Sequence, residues 1–170
     1  MKKRFLLTSF DTWLCDQQSN SSDDLLLEVA KLDILPHHLT FLRQLPVDVQ
    51  LASDCVIQKI NELEPDCIIC CGMAASRMLL TVEFCASCKE RVLQTGVDLE
   101  QLVAGARGIE ISHDCGKFVC EGLYYSVLDH LRQSQLRANC IFVHVPVLHP
   151  ENLVNIVADF VLIINKLALS

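Results

Sequence analysis

Cys120 stands in the stretch Asp114-Cys115-Gly116-Lys117-Phe118-Val119-Cys120. Gly116 allows a tight turn into the helix expected to follow, which places Cys120 in or near its first turn. Orphan backbone N–H groups and the helix dipole there favour thiolate over thiol, predicting a lowered pKa and a nucleophile. The same N–H groups could stabilise an oxyanion formed by attack on a carbonyl. Such a nucleophile needs an imidazole within hydrogen-bond reach and a third group to orient it. His144, at the end of the apolar run Cys140-Ile141-Phe142-Val143-His144-Val145-Pro146, is the natural partner, because sites in α/β sheets collect at the carboxyl ends of strands. Glu83, in Leu80-Thr81-Val82-Glu83-Phe84, is a carboxylate in an otherwise apolar strand and can orient the imidazole. The structural alternatives are a helix-starting thiol, a satisfied strand-end histidine and a glutamate facing water. Spacing alone does not establish that the three groups meet.

Other chemistries have weaker support. Neither a Gly-x-Gly-x-x-Gly turn nor a Gly-Lys-Ser/Thr loop occurs. Cys67 and Cys70, then Cys85 and Cys88, make two Cys-x-x-Cys pairs at a zinc-module spacing. Both pairs sit in strand-like apolar runs, where residues i and i+3 point to opposite faces and do not converge on one ion. Buried structural thiols are the competing reading.

The chain that must position these groups has 170 residues, which by the usual length prior makes one domain, residues 1–170, with room for a full core. Hydrophobic residues make up 51% and charged residues 21%, which excludes a disordered or low-complexity chain. A net charge of −7 argues against nucleic acid and anionic membrane as partners. Lys2-Lys3-Arg4 precede an apolar stretch too short for a signal peptide, so ten cysteines point to free thiols in a reducing cytoplasm. The apolar segment Leu153–Leu169 is interrupted by Asn155, Asp159, Asn165 and Lys166 and reads as an amphipathic core helix, not a membrane span.

Short β-branched or aromatic runs predict strands over Arg4–Ser9, Thr40–Leu45, Cys67–Cys71, Leu79–Cys85, Gly108–Ser112 and Cys140–Val145. Helical periodicity covers Ser22–Lys31, Ser53–Glu62, Phe118–Arg132 and Pro150–Leu167. The alternation predicts an α/β fold, a three-layer α/β/α sandwich around a mostly parallel, mixed sheet. Between Cys88 and Gly108 the rhythm breaks, and a loop or short helix is expected there.

Taken together, these segments resemble the pyroglutamyl peptidase (pyrrolidone-carboxylate peptidase) family of cysteine peptidases along nearly the whole chain. Phe5–Trp13 is similar to the family's first strand and following turn, and Glu64–Gly72 to its Pro-Asp strand ending in glycine. Gly72, Arg77 and Glu83 fall at the spacing of the Gly-x-Ala-x-x-Arg motif and downstream glutamate. Phe118-Val119-Cys120 resembles the nucleophile motif, and Phe142-Val143-His144-Val145-Pro146 the histidine motif. The resemblance implies Cys120 as nucleophile, His144 as general base and acid, and Glu83 as the orienting carboxylate. It also implies Phe10 and Trp13 as a sandwich around a pyroglutamyl ring, with Asn20 near the lactam. The expected reaction removes N-terminal pyroglutamate from a small peptide through an acyl-enzyme, with no metal or organic cofactor. Family relatives often form homodimers or tetramers, which makes a homo-oligomer one expectation.

The departures bear on substrate. Ser9 and Thr12 replace a glycine and a proline, Trp13 stands where phenylalanine is usual, Met73 where glutamine is, and Asn20 is displaced by one position. Glu121 adds a charge beside the nucleophile that would raise its pKa, with Lys117 able to offset it. The segment from Glu83 to Cys120 is roughly two dozen residues short, and Arg91 is a candidate to replace an arginine lost with it. A divergent member with altered specificity or no activity, acting in binding, is the runner-up reading; a thiol-rich zinc module is a third. The peptidase reading expects one thiol singled out by small alkylating agents near neutral pH.

Overall fold

The computed structural model describes residues 1–170. In chain order the elements are β1 (Arg4–Phe10), α1 (Ser21–Ala30), β2 (His38–Leu45), α2 (Val49–Leu63), β3 (Cys67–Met73), β4 (Leu80–Glu83), β5 (Cys85–Cys88), β6 (Arg91–Gln94), α3 (Leu99–Val103), β7 (Ile109–Ser112), α4 (Val119–Gln133), β8 (Asn139–Val145) and α5 (Leu153–Leu167). Six strands form one sheet in the order β2-β1-β3-β8-β4-β7. Every neighbouring pair is parallel except β4 with β8, so β4 and β7 run against the other four.

The central strands are apolar on both faces because helices cover both. Phe5, Leu7, Ile69, Val82, Ile141 and Val143 pack with Leu25 and Leu26 of α1, Leu99 and Leu102 of α3, and Phe160 and Ile163 of α5. Leu6, Ile68, Cys70 and Phe142 pack with Val56 and Ile60 of α2 and Leu123 and Val127 of α4. The result is the expected α/β/α sandwich around a mixed sheet. One side of α5 buries Ile156, Phe160, Ile163, Ile164 and Leu167, the i, i+4, i+7 pattern of a core helix. No helix is long and apolar enough to cross a membrane.

An early strand end, the hairpin that follows it and two helix starts depart from the expectations, each for a local reason. The strand expected over Leu79–Cys85 stops at Glu83, and the chain leaves the sheet to form a hairpin of β5 and β6. Its turn places Lys89 at φ 55 without the glycine that marks such turns, so β6 carries no sequence signal. A short α3 then fills the break before β7. Helix α2 begins at Val49, a turn before Ser53, because the Asp48 side chain caps it by accepting from the Leu51 N–H at 2.9 Å. Helix α5 begins at Leu153, not Pro150, because the Asn152 side chain reaches back to the His149 N–H and the Val147 carbonyl and holds the preceding residues as a turn.

Candidate active site

Strand parity decides which side chains meet. On β8, Ile141, Val143 and Val145 turn toward α1 and α5, which leaves Cys140, Phe142 and His144 facing α2 and α4. On β4, Leu80 and Val82 take the first direction, leaving Thr81 and Glu83 the second. His144 is in register between Gly72 of β3 and Thr81 of β4, while Glu83 pairs with Phe142. Glu83 is thus the diagonal neighbour of His144, and its Oε1 lies 2.7 Å from His144 Nδ1. Glu83 is fully buried. An ionised carboxylate only accepts, so Nδ1 carries the proton and Nε2 is left as the acceptor.

The surroundings fix this pair. The Tyr124 hydroxyl donates to the Glu83 backbone carbonyl at 3.1 Å, and the Phe142 ring packs against the His144 ring with centroids 4.9 Å apart. Arg77 comes within 3.8 Å of Glu83 Oε1 while donating to Ser112 Oγ and the Asp114 carbonyl, which ties the turn after β3 to the turn before α4. Glu83 Oε2 is buried without a partner.

Cys120 is the second residue of α4, whose N-cap residue, Phe118, offers no side-chain acceptor to the first turn. Gly116 precedes it at φ 83, the left-handed conformation that glycine adopts without strain. The Cys120 thiol lies over Gly72, where an added Cβ would come within 2.6 Å of Sγ. Because Gly72 is the β3 neighbour of His144, the thiol and the imidazole meet at the same end of the sheet.

The expected lowering of the Cys120 pKa is overturned. Burial, then the negative charge of Glu83, pushes the thiol up to about 12, against the opposing effect of its own backbone N–H. The helix terminus does not outweigh a low-dielectric site that already contains a carboxylate. Glu121 is engaged elsewhere: its Oε1 accepts from the Ser87 N–H at 3.0 Å and pins the β5–β6 hairpin to α4. Lys117 is exposed.

A cavity of about 180 Å³ opens over this end of the sheet, lined by Phe10, Trp13, Asn20, Met73, Cys120 and His144 together with Val47, Cys115, Gly116, Phe118 and Val119. Five of the six expected site residues therefore share one cavity, with Glu83 behind His144. Phe10 is buried, whereas Trp13 and Phe118 are exposed at its mouth. A larger groove of about 400 Å³, between the hairpin and α4, is lined by no histidine or carboxylate.

The chain is similar to known proteins in sequence and in fold. A match to the family described as pyroglutamyl peptidase spans residues 99–160, a stretch that holds Cys120 and His144. The pyrrolidone-carboxylate peptidase of Oceanobacillus iheyensis is 25% identical over 93% of this chain and 91% of its own length. That of Bacillus subtilis is 25% identical over 86% of this chain and 79% of its own. The chain is similar over most of its length to the pyrrolidone-carboxylate peptidases. Two solved structures share its fold. Pyroglutamyl peptidase I of Bacillus amyloliquefaciens superposes with a TM-score of 0.87 at 20% identity, over 99% of this chain and 98% of that one. The pyrrolidone carboxyl peptidase of Thermococcus litoralis gives 0.83 at 16%, over 98% and 93%.

Relative to the Oceanobacillus pyrrolidone-carboxylate peptidase, the alignment of 183 positions uses 93% of 170 residues, leaving roughly two dozen positions without a counterpart here. Arg91 does not stand in for an arginine of such a segment: it is exposed on β6, 3.6 Å from Asp129 of α4, and does not line the cavity. Asn20 lines the cavity but is largely committed to the fold. Its Oδ1 accepts from Ser22 N and Oγ, capping α1, and its Nδ2 donates to the Asp11 carbonyl, which leaves one N–H free. Of the four paired cysteines, Cys67 and Cys70 face opposite layers and Cys88 is exposed on the hairpin. The walls supplied by Val47, Phe118 and Cys115 were not singled out from the sequence. Phe118 and Cys115 lie inside the nucleophile stretch, but nothing in their spacing says which way they face.

Proposed function

We propose that this chain is a cysteine exopeptidase that hydrolyses an N-terminal pyroglutamyl, or similar small acyl, group from peptides. The observation that carries the reading is the buried His144–Glu83 pair, at 2.7 Å, opening on the same cavity as Cys120. Cys120 Sγ attacks the carbonyl carbon of the scissile amide as His144 Nε2 takes the thiol proton. A thiol pushed up to about 12 is neutral at rest, so proton removal accompanies attack. The tetrahedral oxyanion is assigned to the Cys120 N–H and its neighbours in the first turn of α4, which no side chain caps. His144 then returns the proton to the leaving amine, and a water activated by the same imidazole releases the acyl group. Glu83 holds the tautomer and balances the imidazolium. Phe10 and Trp13 are assigned to the faces of the acyl ring.

The shortened region and the committed Asn20 side chain favour one variation on this reading, a changed acyl preference on an unchanged catalytic apparatus. Ten unpaired thiols support a reducing cytoplasm as the working compartment. The test is release of a fluorescent amine from an L-pyroglutamyl amide by wild type and by Cys120→Ala. Turnover that vanishes in the variant establishes reaction and nucleophile together. Absence of turnover in wild type, with Cys120 still modified by acyl chloromethyl ketones of other shapes, moves the reading to another acyl group. If Cys120 is inert to all of them, catalysis is abandoned.

A further inference from the structure

A second thiol lies beside the catalytic pair. Cys115, in the turn before α4, is 4% exposed. Its Sγ, a carboxylate oxygen of Glu83 and a ring nitrogen of His144 all lie within 4.8 Å of one another. Glu83 Oε2 is fully buried with no hydrogen-bond partner, an acceptor whose desolvation nothing offsets. Arg77 does not relieve it, since its guanidinium approaches the other oxygen at 3.8 Å and donates to Ser112 and Asp114.

We propose that Glu83, Cys115 and His144 form a binding site for a borderline-soft divalent cation, Zn²⁺ above all, beside the substrate cavity. Thiolate, imidazole and carboxylate are the donors zinc prefers, and three protein ligands leave the fourth position to water from the cavity. Zinc–ligand bonds of about 2.0–2.3 Å place tetrahedral donors roughly 3.5 Å apart. Reaching that spacing asks Cys115 to draw in and the 2.7 Å contact between Glu83 Oε1 and His144 Nδ1 to open, side-chain rotations rather than a change of fold. A dication with one carboxylate and one thiolate is neutral in itself, and the nearby Arg77 guanidinium is already engaged by Ser112 and Asp114. On binding, the Cys115 S–H proton leaves to solvent, the His144 proton moves from Nδ1 to Nε2 by exchange with solvent, and the S–Zn and Nδ1–Zn bonds form, with no change of oxidation state. The cation reaches the site through the cavity, which both Cys115 and His144 line. That occupancy takes the imidazole away from Cys120 rests on the peptidase reading; the site itself does not.

The experiment is a titration of the reduced, metal-stripped full chain with Zn²⁺ in competition with a chromophoric chelator. Wild type, Cys115→Ala, Cys115→Ser and Cys120→Ala are compared, each checked for native circular dichroism. The expected result is one tight site in wild type and in Cys120→Ala, weakened by more than about tenfold in both Cys115 variants. Co²⁺ in place of Zn²⁺ gives a thiolate-to-metal charge-transfer band that disappears with Cys115. Cys115→Ser keeps the side-chain size, so loss of binding in a folded Cys115→Ser protein reports the ligand and not the packing. The proposal is overturned if wild type has no tight site, or if the Cys115 variants bind as tightly as wild type. No turnover is read, so this outcome and that of the peptidase assay are independent.

Discussion

Gly72 on β3 forms the floor beneath the Cys120 thiol, and the nearest atom a side chain there would meet is Sγ itself, at 2.6 Å. Next in line are ring carbons of Phe142 at 3.0 and 3.2 Å, which are packed under Tyr124 and cannot retreat. The glycine is therefore required by the site rather than by its backbone conformation. Gly72→Ala is expected to displace Sγ and lower kcat/KM on a pyroglutamyl amide by about a hundredfold or more. Its cost in stability, from overpacking, should be only about 1–3 kcal/mol. Thermal unfolding beside steady-state kinetics checks this; loss of activity in proportion to loss of fold would refute it.

Glu83→Gln keeps the shape of the buried side chain but removes the acceptor-only character that sets the His144 tautomer. The expected fall is about three to four orders of magnitude in kcat with little change in KM. Equal effects on both constants would place Glu83 in substrate binding instead.

The raised Cys120 pKa makes a prediction opposite to that of a helix-activated thiolate. Labelling of Cys120 by iodoacetamide should keep climbing by about tenfold per pH unit well beyond pH 9, where an ordinary thiol levels off. Near neutral pH it is then not the thiol that small reagents single out. Since the Glu83 charge is one cause of the rise, Glu83→Gln should lower the pKa and speed labelling at fixed pH even as turnover falls. Mass-spectrometric labelling rates for Cys120 decide it, and a preformed thiolate–imidazolium pair would give slower labelling in the variant.

Asp23 and Arg43 brace the end of β1, which carries Phe10. Two guanidinium hydrogen bonds of 2.8 Å and one from Ser9 at 2.6 Å reach the Asp23 carboxylate. Burial works against ionisation, but these partners hold its pKa below the usual carboxylate value. A depressed folded pKa means the stabilisation is complete above about pH 4 and is lost as pH falls through the folded value. Arg43→Ala should cost about 3 kcal/mol at pH 7 and much less at an acid pH below the folded Asp23 pKa, where the carboxyl is protonated. Urea unfolding midpoints at the two pH values measure this.

How much of this could be read in the sequence depended on what each feature rests on. The β8 run Cys140–Val145 announces both strand and site, because alternation alone puts His144 opposite Val143 and Val145. The layer order followed from alternating strands and helices. The hairpin did not, since Lys89 adopts positive φ without a glycine to mark it. The Cys120 pKa had the wrong sign because desolvation and the nearness of Glu83 belong to the folded molecule and not to spacing. Asn20 is legible as a polar residue near the cavity, but its commitment to Ser22 and Asp11 appears only when α1 is docked. Cys115 sits in plain view within the nucleophile stretch, yet its nearness to Glu83 depends on β4 pairing with β7, which sets Glu83 opposite Ser112.

The sheet order also dictates when this molecule becomes itself during synthesis. Strand β8 is made after both β3 and β4, yet it inserts between them. Until then those two strands have open edges facing one another across a gap, the situation that invites mispairing with other chains. The carboxylate is translated before the thiol, and the thiol before the imidazole, and none is in place until that final strand closes the gap. Assembly of the catalytic groups is thus bound to completion of the core, and a nascent chain stalled before residue 139 holds the thiol without its base.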